Sequence, residues 1–357
     1  MSELIDLVKQ LVSIPSHEDE TSVGDAIELW LNENTDAEVT RDEVGNVIAK
    51  RGHGETSLAL VGHHDVVAPA AEQLDEEEYV VEERDGRIYG RGTADMKGSV
   101  AAAMIAFREA DSDCELIFAS FVGEETGGEG AQYAIENGFN PHYAIVGEGS
   151  TNYSKSGVTD VVIAHRGRRE HEITVQGTAA HASEPEAGVN AIYQSQNVVD
   201  IYANLDFPNT KINGMSIGGS AVITKIQDGG NPSNEIPSTC ILKADERTVP
   251  GVEVSYEQLT GLENVEFSTS DEFPAMECDD MDFAAAVLEA SKESQDGTPE
   301  MVLKPHATDA GWLARAGTTC VVAGASEPGE AHTATESASV DVLERCYRIY
   351  RNTAESL

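Results

Sequence analysis

The sequence predicts an α/β fold interrupted by a smaller α+β unit, and three observations carry that expectation. Helix-like and strand-like segments alternate over the first 165 residues, the pattern turns strand-rich from about 166, and the alternation resumes after about 275. Alternation argues a sheet covered by helices, whereas strands grouped around few helices argue an antiparallel sheet with helices on one face. At 357 residues the chain is long enough for two domains. The expected division is one discontinuous domain over 1–165 and 276–357, with a second inserted at 166–275.

Taken in order, apolar residues at helical spacing predict helices near 2–12 and 22–33, and apolar runs predict strands near 45–50 and 57–62. A helix near 97–110, a strand near 114–122, a helix near 128–137 and a strand near 142–147 complete the first stretch. The insertion reads as a strand (EHEITVQG), a helix (NAIYQSQNVVDIYANL), two strands (SAVITKIQDGG and TCILKADER), a short helix (VSYEQLTGL) and a last strand (VEFSTS). The helical run MDFAAAVLEASKES and the strand TTCVVAG then restore the first pattern.

Charge narrows the function classes. With 64 acidic against 23 basic residues and a formal net charge of −41, the chain would be repelled by a nucleic-acid backbone or an anionic membrane. Its hydrophobic content of 40% nevertheless reads as globular, so the acid belongs on the surface. Acidic runs such as DEEEYVVEERD at 75–85 suit a halophilic cytoplasm, where concentrated salt screens self-repulsion. The N-terminus lacks the basic start and unbroken apolar stretch of a signal peptide, and no charge-free window could span a bilayer, so a cytoplasmic protein is expected. Five widely spaced cysteines, Cys114, Cys240, Cys278, Cys320 and Cys346, include no CxxC pair and predict neither a disulfide framework nor a cysteine zinc site.

Five stretches place metal-type ligands just after strand-like runs, where open α/β sheets bind ligands. They are GHHDVV with His63, His64 and Asp65; GRGTADMKG with Asp95; FVGEETGG with Glu124 and Glu125; VGEGS with Glu148; and GEAHTATE with His332. Zinc accepts both imidazole nitrogen and carboxylate oxygen, and a two-metal site needs a carboxylate able to bridge the ions. A lone histidine or glutamate in so acidic a chain is usually structural or solvated. The shared context, an apolar run before and glycine beside each, is what points to a site. Those glycines would let backbone turn sharply and pass close to the ions.

On these stretches, together with GTAAHASEPEAGVNAI, GGNPSNEIP, ADERT, TDAGWLARAG and AHTATE, the chain resembles the M20 family of zinc amidohydrolases and peptidases over nearly its whole length. The resemblance implies a zinc-hydrolase catalytic domain with a central mixed sheet, carrying an inserted ferredoxin-like lid/dimerisation domain. It implies two Zn2+, with Co2+ or Mn2+ as alternatives, one held by His63, Asp95 and Glu148 and the other by Asp95, Glu125 and His332. Asp95 would bridge, Asp65 would orient His63 through its other ring nitrogen, and Glu124 would be the general base. His181 would help hold the oxyanion, reaching a partner subunit's site in a homodimer formed through the insertion. Asn234 and Arg247 would bind the substrate carboxylate, for which a guanidinium fork is suited. His64 falls at a variable position and is expected to be a bystander.

The activity implied is hydrolysis of an amide bond in an N-acyl amino acid, of the succinyl-diaminopimelate desuccinylase or acetylornithine deacetylase type. A dipeptidase or carboxypeptidase is the alternative, and a non-catalytic binding protein on the same scaffold a remote one. Ala68 and Gly149 stand where many relatives have proline, departures that touch loops and not ligands. GMSIG at 214–218 fits the GxSxG pattern of serine hydrolases, but the alternating SAVITKIQ after it predicts a strand in place of the helix a nucleophile elbow requires.

Overall fold

The computed structural model describes residues 2–76, 78–228 and 233–357. Residues 229–232, which include the end of the predicted strand SAVITKIQDGG and the start of GGNPSNEIP, lie outside the described residues. The chain divides into two compact units: one runs to His165 and resumes over Met276–Lys304 and Thr308–Leu357, the other comprises Arg166–Ala275 and Pro305–Ala307.

Helices α1 (Ser2–Ser13) and α2 (Thr21–Asn34) precede strands β1 (Glu38–Arg41), β2 (Val47–Arg51) and β3 (Ser57–His63). Helix α3 (Gly98–Glu109), β4 (Glu115–Phe121), α4 (Glu129–Glu136), β5 (Tyr143–Val146) and β6 (Val161–His165) follow. The inserted unit contains β7 (Gly167–Gln176), α5 (Ala191–Ala203), β8 (Ser220–Asp228), β9 (Thr239–Thr248), α6 (Glu257–Thr260) and β10 (Val265–Phe273). The first unit then resumes with β11 (Met276–Glu277), α7 (Met281–Glu293), β12 (Met301–Lys304), α8 (Ala310–Arg315), β13 (Thr319–Val322) and α9 (Val340–Ser356).

Among the described residues, the first unit has a mixed sheet in the order β1-β2-β4-β3-β5-β13-β6-β11, with β12 pairing parallel to β6. Strand β3 runs parallel to both β4 and β5, and every residue of β3 is buried, the pattern of a strand covered on both faces. Helix α3 is buried on all sides from Gly98 to Phe107, as a helix apolar around its whole circumference must be. Helix α9 instead buries a single stripe, Val342, Leu343, Cys346, Ile349, Tyr350, Thr353 and Ala354. Aromatic side chains anchor this core: Phe107, Phe118 and Phe121 are fully buried, each contributing about 1.5–3 kcal/mol of transfer free energy. No described helix is long and apolar enough to cross a membrane.

The second unit is a βαββαβ arrangement with strand order β8-β9-β7-β10, antiparallel throughout, which is the ferredoxin-like topology. Its core joins Ile173, Val175, Cys240, Leu242 and Ala244 of the sheet to Val198, Tyr202 and Leu259 of the helices. The Asn190 side chain accepts hydrogen bonds from the backbone N–H of Ile192 and Tyr193 and so starts α5.

Several elements were not expected from the sequence, among them β11, β12, α8 and α9, and three more show why. Strand β1 went unpredicted because its residues EVTR alternate between exposed and half-buried without an apolar run. The turn joining it to β2 is built by Asp42, whose Oδ1 accepts from the N–H groups of Val44, Gly45 and Asn46. Strand β6 is a five-residue apolar run too short to show periodicity. GMSIG supplies Met215–Gly218, which pairs with Asn209–Ile212 across Asn213 and Gly214, both at positive φ. That hairpin excludes a nucleophile elbow there.

Candidate metal centre

The parallel strands β3, β4 and β5 end side by side, and their C-terminal ends carry acids and a histidine. His63 is the last residue of β3, Glu124 and Glu125 follow β4, and Glu148 follows β5. The ends are tied together by the His64 N–H donating to the Phe121 carbonyl (3.0 Å) and the Gly147 N–H donating to that of Val61 (2.8 Å). Asp95 lies in the irregular turn Thr93–Lys97 that leads into α3, its own backbone extended and not helical (φ −130°, ψ 94°). His332, at φ +64°, sits in the loop before α9; a non-glycine residue in this region is strained and is held there by its surroundings.

These residues form two groups that share Asp95. His63 Nε2 lies 3.2 Å from Asp95 Oδ1 and 3.3 Å from Glu148 Oε1. His332 Nε2 lies 3.3 Å from Asp95 Oδ2 and 2.9 Å from Glu125 Oε1. Asp95 therefore turns one oxygen to each group. In each group the ligand atoms fall within 4.8 Å of one another, and Glu124 forms a further group of that kind with His63 and Glu125. Nitrogen and oxygen atoms bound to one zinc at 2.0–2.2 Å sit roughly 2.9–3.5 Å apart, so the observed separations fit a cation in each group. The donor chemistry, two imidazoles and three carboxylates with one bridging, fits as well.

The supporting contacts are equally specific. Asp65, buried, places Oδ1 3.2 Å from His63 Nδ1 and accepts the backbone N–H groups of Glu124 (3.1 Å) and Glu125 (2.9 Å). It thus holds both the ring of His63 and the loop carrying the two glutamates. Glu336, unpredicted as a site residue although it ends the stretch AHTATE, accepts from the N–H groups of Ala94 (3.0 Å) and Asp95 (3.1 Å) and pairs with the buried Arg91 (2.6 Å). Lys304, for which no sequence motif gave a signal, is buried with its ammonium 3.3 Å from Glu148 Oε2. Asp309, inside TDAGWLARAG, is buried, and among the described residues neither of its carboxylate oxygens has a hydrogen-bond partner. Its Oδ1 would stand 3.0 Å from a Cβ at Gly128, a residue at φ +74° where a side chain would also strike Trp312.

His64 belongs to neither group. It is fully buried, with Nδ1 2.9 Å from Ser120 Oγ and Nε2 without a hydrogen-bond partner among the described residues, so it is a core residue.

His181, Asn234 and Arg247, the residues predicted on the insertion, all lie in the second unit. His181 and Asn234 come together: His181 pairs with Glu235 across two short strands, the Ala182 N–H donates to the Asn234 carbonyl (2.8 Å), and both residues line one shallow depression. Both are exposed. Arg247 is engaged on its own strand, with Nε donating to Asp245 Oδ1 at 2.6 Å and Nη2 to Asp245 Oδ2 at 3.3 Å. Asp245 also accepts from Arg168 Nε at 2.8 Å. A substrate carboxylate would therefore compete with Asp245 for part of the Arg247 fork.

Electrostatics show what so many acids in one place require. Burial drives the Glu124 carboxyl well above its ordinary range, and it drives Asp309 up to about 7. Burial opposes charge on His63, but Asp65, Asp95 and Glu148 outweigh it and raise the imidazole well above its usual value. Hydrogen bonds to Asp95 and Glu125 lift His332 to about 10. Asp95 is held low despite burial, because it faces both histidines. On its own the cluster holds protons where cations would hold it together, and cation binding would displace them.

Two donor groups that share one carboxylate, beside the ends of parallel strands in an α/β unit, make a candidate dinuclear metal centre. The model of Peptidase family M20/M25/M40 matches residues 59–356, and the chain belongs to this family. An acetylornithine deacetylase of Proteus mirabilis is 31% identical over 214 residues, which make up 58% of this chain and 54% of that one. The match thus spans about half the length of that relative. Among solved structures, the aminopeptidase PepT of Bacillus cereus superposes with a TM-score of 0.79 at 20% identity, covering 99% of this chain and 98% of that one. A dinuclear metal-binding peptidase of family M20 from Bacillus subtilis gives 0.72 at 16% identity over 99% and 97%. These neighbours share the fold, a mixed α/β architecture with a central mixed sheet.

Proposed function

We propose that the chain hydrolyses an amide bond in an N-acyl amino acid, as an enzyme of the succinyl-diaminopimelate desuccinylase or acetylornithine deacetylase type. The observation that carries this reading is the pair of donor groups joined through Asp95 with Glu124 buried beside them. His63, Asp95 and Glu148 would hold one zinc and Asp95, Glu125 and His332 the other, with Co2+ or Mn2+ able to take their places. Bound there, the cations supply Lewis acidity toward the scissile carbonyl and acidify water.

Glu124 does the proton work. Its carboxylate, buried beside both donor groups, is placed to take a proton from water and return it to the leaving amine. Asp65 fixes the tautomer of His63, so that Nε2 faces the donor group, and it also holds the backbone at Glu124. His181 would help hold the oxyanion, and Asn234 and Arg247 would bind the substrate carboxylate. A homodimer through residues 166–275 is part of the same reading, supported by apolar side chains left exposed on α5 and β8, among them Tyr193 (77%) and Val222 (61%). The reading places the protein in the cytoplasm.

A substrate panel tests this. Succinyl-diaminopimelate, acetylornithine and simple dipeptides would be compared by kcat/KM with metal-free and zinc-loaded protein. Preference for an acyl amino acid, lost on chelation and regained with zinc, supports the proposal. Preference for the dipeptides would replace it with a dipeptidase or carboxypeptidase, which the same donor set could serve, and full activity without metal would sink both.

A further inference from the structure

Glu148 has two oxygens, and the fold sends them in opposite directions. Oε1 lies 3.3 Å from His63 Nε2, on the side of the ligand group. Oε2 faces the Lys304 ammonium at 3.3 Å and the Gly149 N–H, also at 3.3 Å. Lys304 ends β12, is buried, and is fixed by a second hydrogen bond from Nζ to the Gly149 carbonyl at 2.9 Å. The Gly149 N–H is one that a proline at this position could not offer.

A buried ammonium costs several kcal/mol unless it is paired, and pairing it with a group meant for a dication sets two cations against each other for one carboxylate. The arrangement gives Oε2 to Lys304 and leaves Oε1 to the ligand group. We propose that Lys304 is a positioning residue that holds Glu148 as a one-oxygen ligand, and so keeps a coordination position open at the His63, Asp95 and Glu148 group. The proposal rests on the two-metal reading given above. It gives a reason for a lysine in contact with a ligand: with Oε2 free, the carboxylate could turn and close on the cation with both oxygens, occupying a place that water or substrate needs.

The test uses the whole chain loaded with Mn2+, whose inner-sphere water is counted by water-proton relaxation. Lys304→Met keeps the length of the side chain and removes its charge and donors. The count of exchangeable waters per chain is expected to fall by one in this variant, while Mn2+ binds about tenfold or more tightly because the repelling ammonium is gone. Lys304→Gln keeps a donor to Oε2 without the charge, so it should retain the wild-type water count and still bind more tightly; it also carries the test should the methionine variant fold poorly. A lysine that merely braced the ligand would give the opposite sign, with affinity weakened by roughly 10–100-fold on its removal. An unchanged water count in Lys304→Met with two ions bound, or weakened binding in Lys304→Gln, overturns the proposal alone. A wild-type chain that binds no Mn2+ or Zn2+ overturns the two-metal reading together with it.

Discussion

Replacing His64 by asparagine should make the protein less sensitive to mild acid. His64 is fully buried, among the described residues its Nε2 has no hydrogen-bond partner and the nearest carboxylate (Glu20) is 3.8 Å away, and burial lowers its pKa from 6.5 to about 3. A folded pKa below the unfolded one means that the unfolded chain binds more protons between those values, so stability is full above about pH 6.5 and is lost as the pH falls toward 3. At about pH 5 the loss from this residue is some 1.5 pH units at about 1.4 kcal/mol each, or about 2 kcal/mol. Asparagine leaves an amide facing Ser120 and does not titrate. Urea unfolding of chelator-treated protein at about pH 7.5 and about pH 5, at one salt concentration, measures the difference, since every other titrating group is common to both proteins. Wild type should lose about 2 kcal/mol more than the variant on acidification. Equal losses would refute the assignment of His64 as a histidine buried neutral.

Other outcomes follow from the same contacts. Glu124→Gln should keep its metal and lose roughly 10²–10⁴-fold in turnover, checked by metal analysis alongside kcat, because the proton carrier goes and the ligands stay. Glu336→Ala leaves Arg91 buried without its partner and frees the N–H groups of Ala94 and Asp95, and should lower stability by about 3–5 kcal/mol in urea titrations. Metal affinity should rise with pH up to about 10, by about tenfold per unit for each proton displaced, since His332 must lose its proton to bind; calorimetry in buffers of different ionisation heat would show the release.

His63, Glu124, Glu125 and Glu148 were legible as candidate site residues because each ends or follows an apolar strand with glycine nearby, whereas Asp95 and His332 lie in a turn and a loop and were legible only through the motifs around them. The two-unit alternation was legible as a change in pattern along the chain. What could not be read were partners distant in sequence. Glu336 meets Ala94 across 242 positions and Lys304 meets Glu148 across 156, and neither lysine nor glutamate in so charged a chain announces that it is buried. His64 was expected to be a bystander and belongs to neither group; what its sequence position could not show is its burial against Ser120 on the adjacent strand. Strand β1 and the hairpin at 209–218 escaped because strands with exposed faces show little apolar pattern.

The central claim, two cations joined through Asp95, is tested most directly by counting bound zinc per chain in wild type and in three variants. Wild type should hold two, His63→Ala and His332→Ala one each, and Asp95→Ala none tightly, because both groups use its carboxylate. A wild-type chain that saturates with one zinc, or an Asp95→Ala chain that keeps both, would contradict the account.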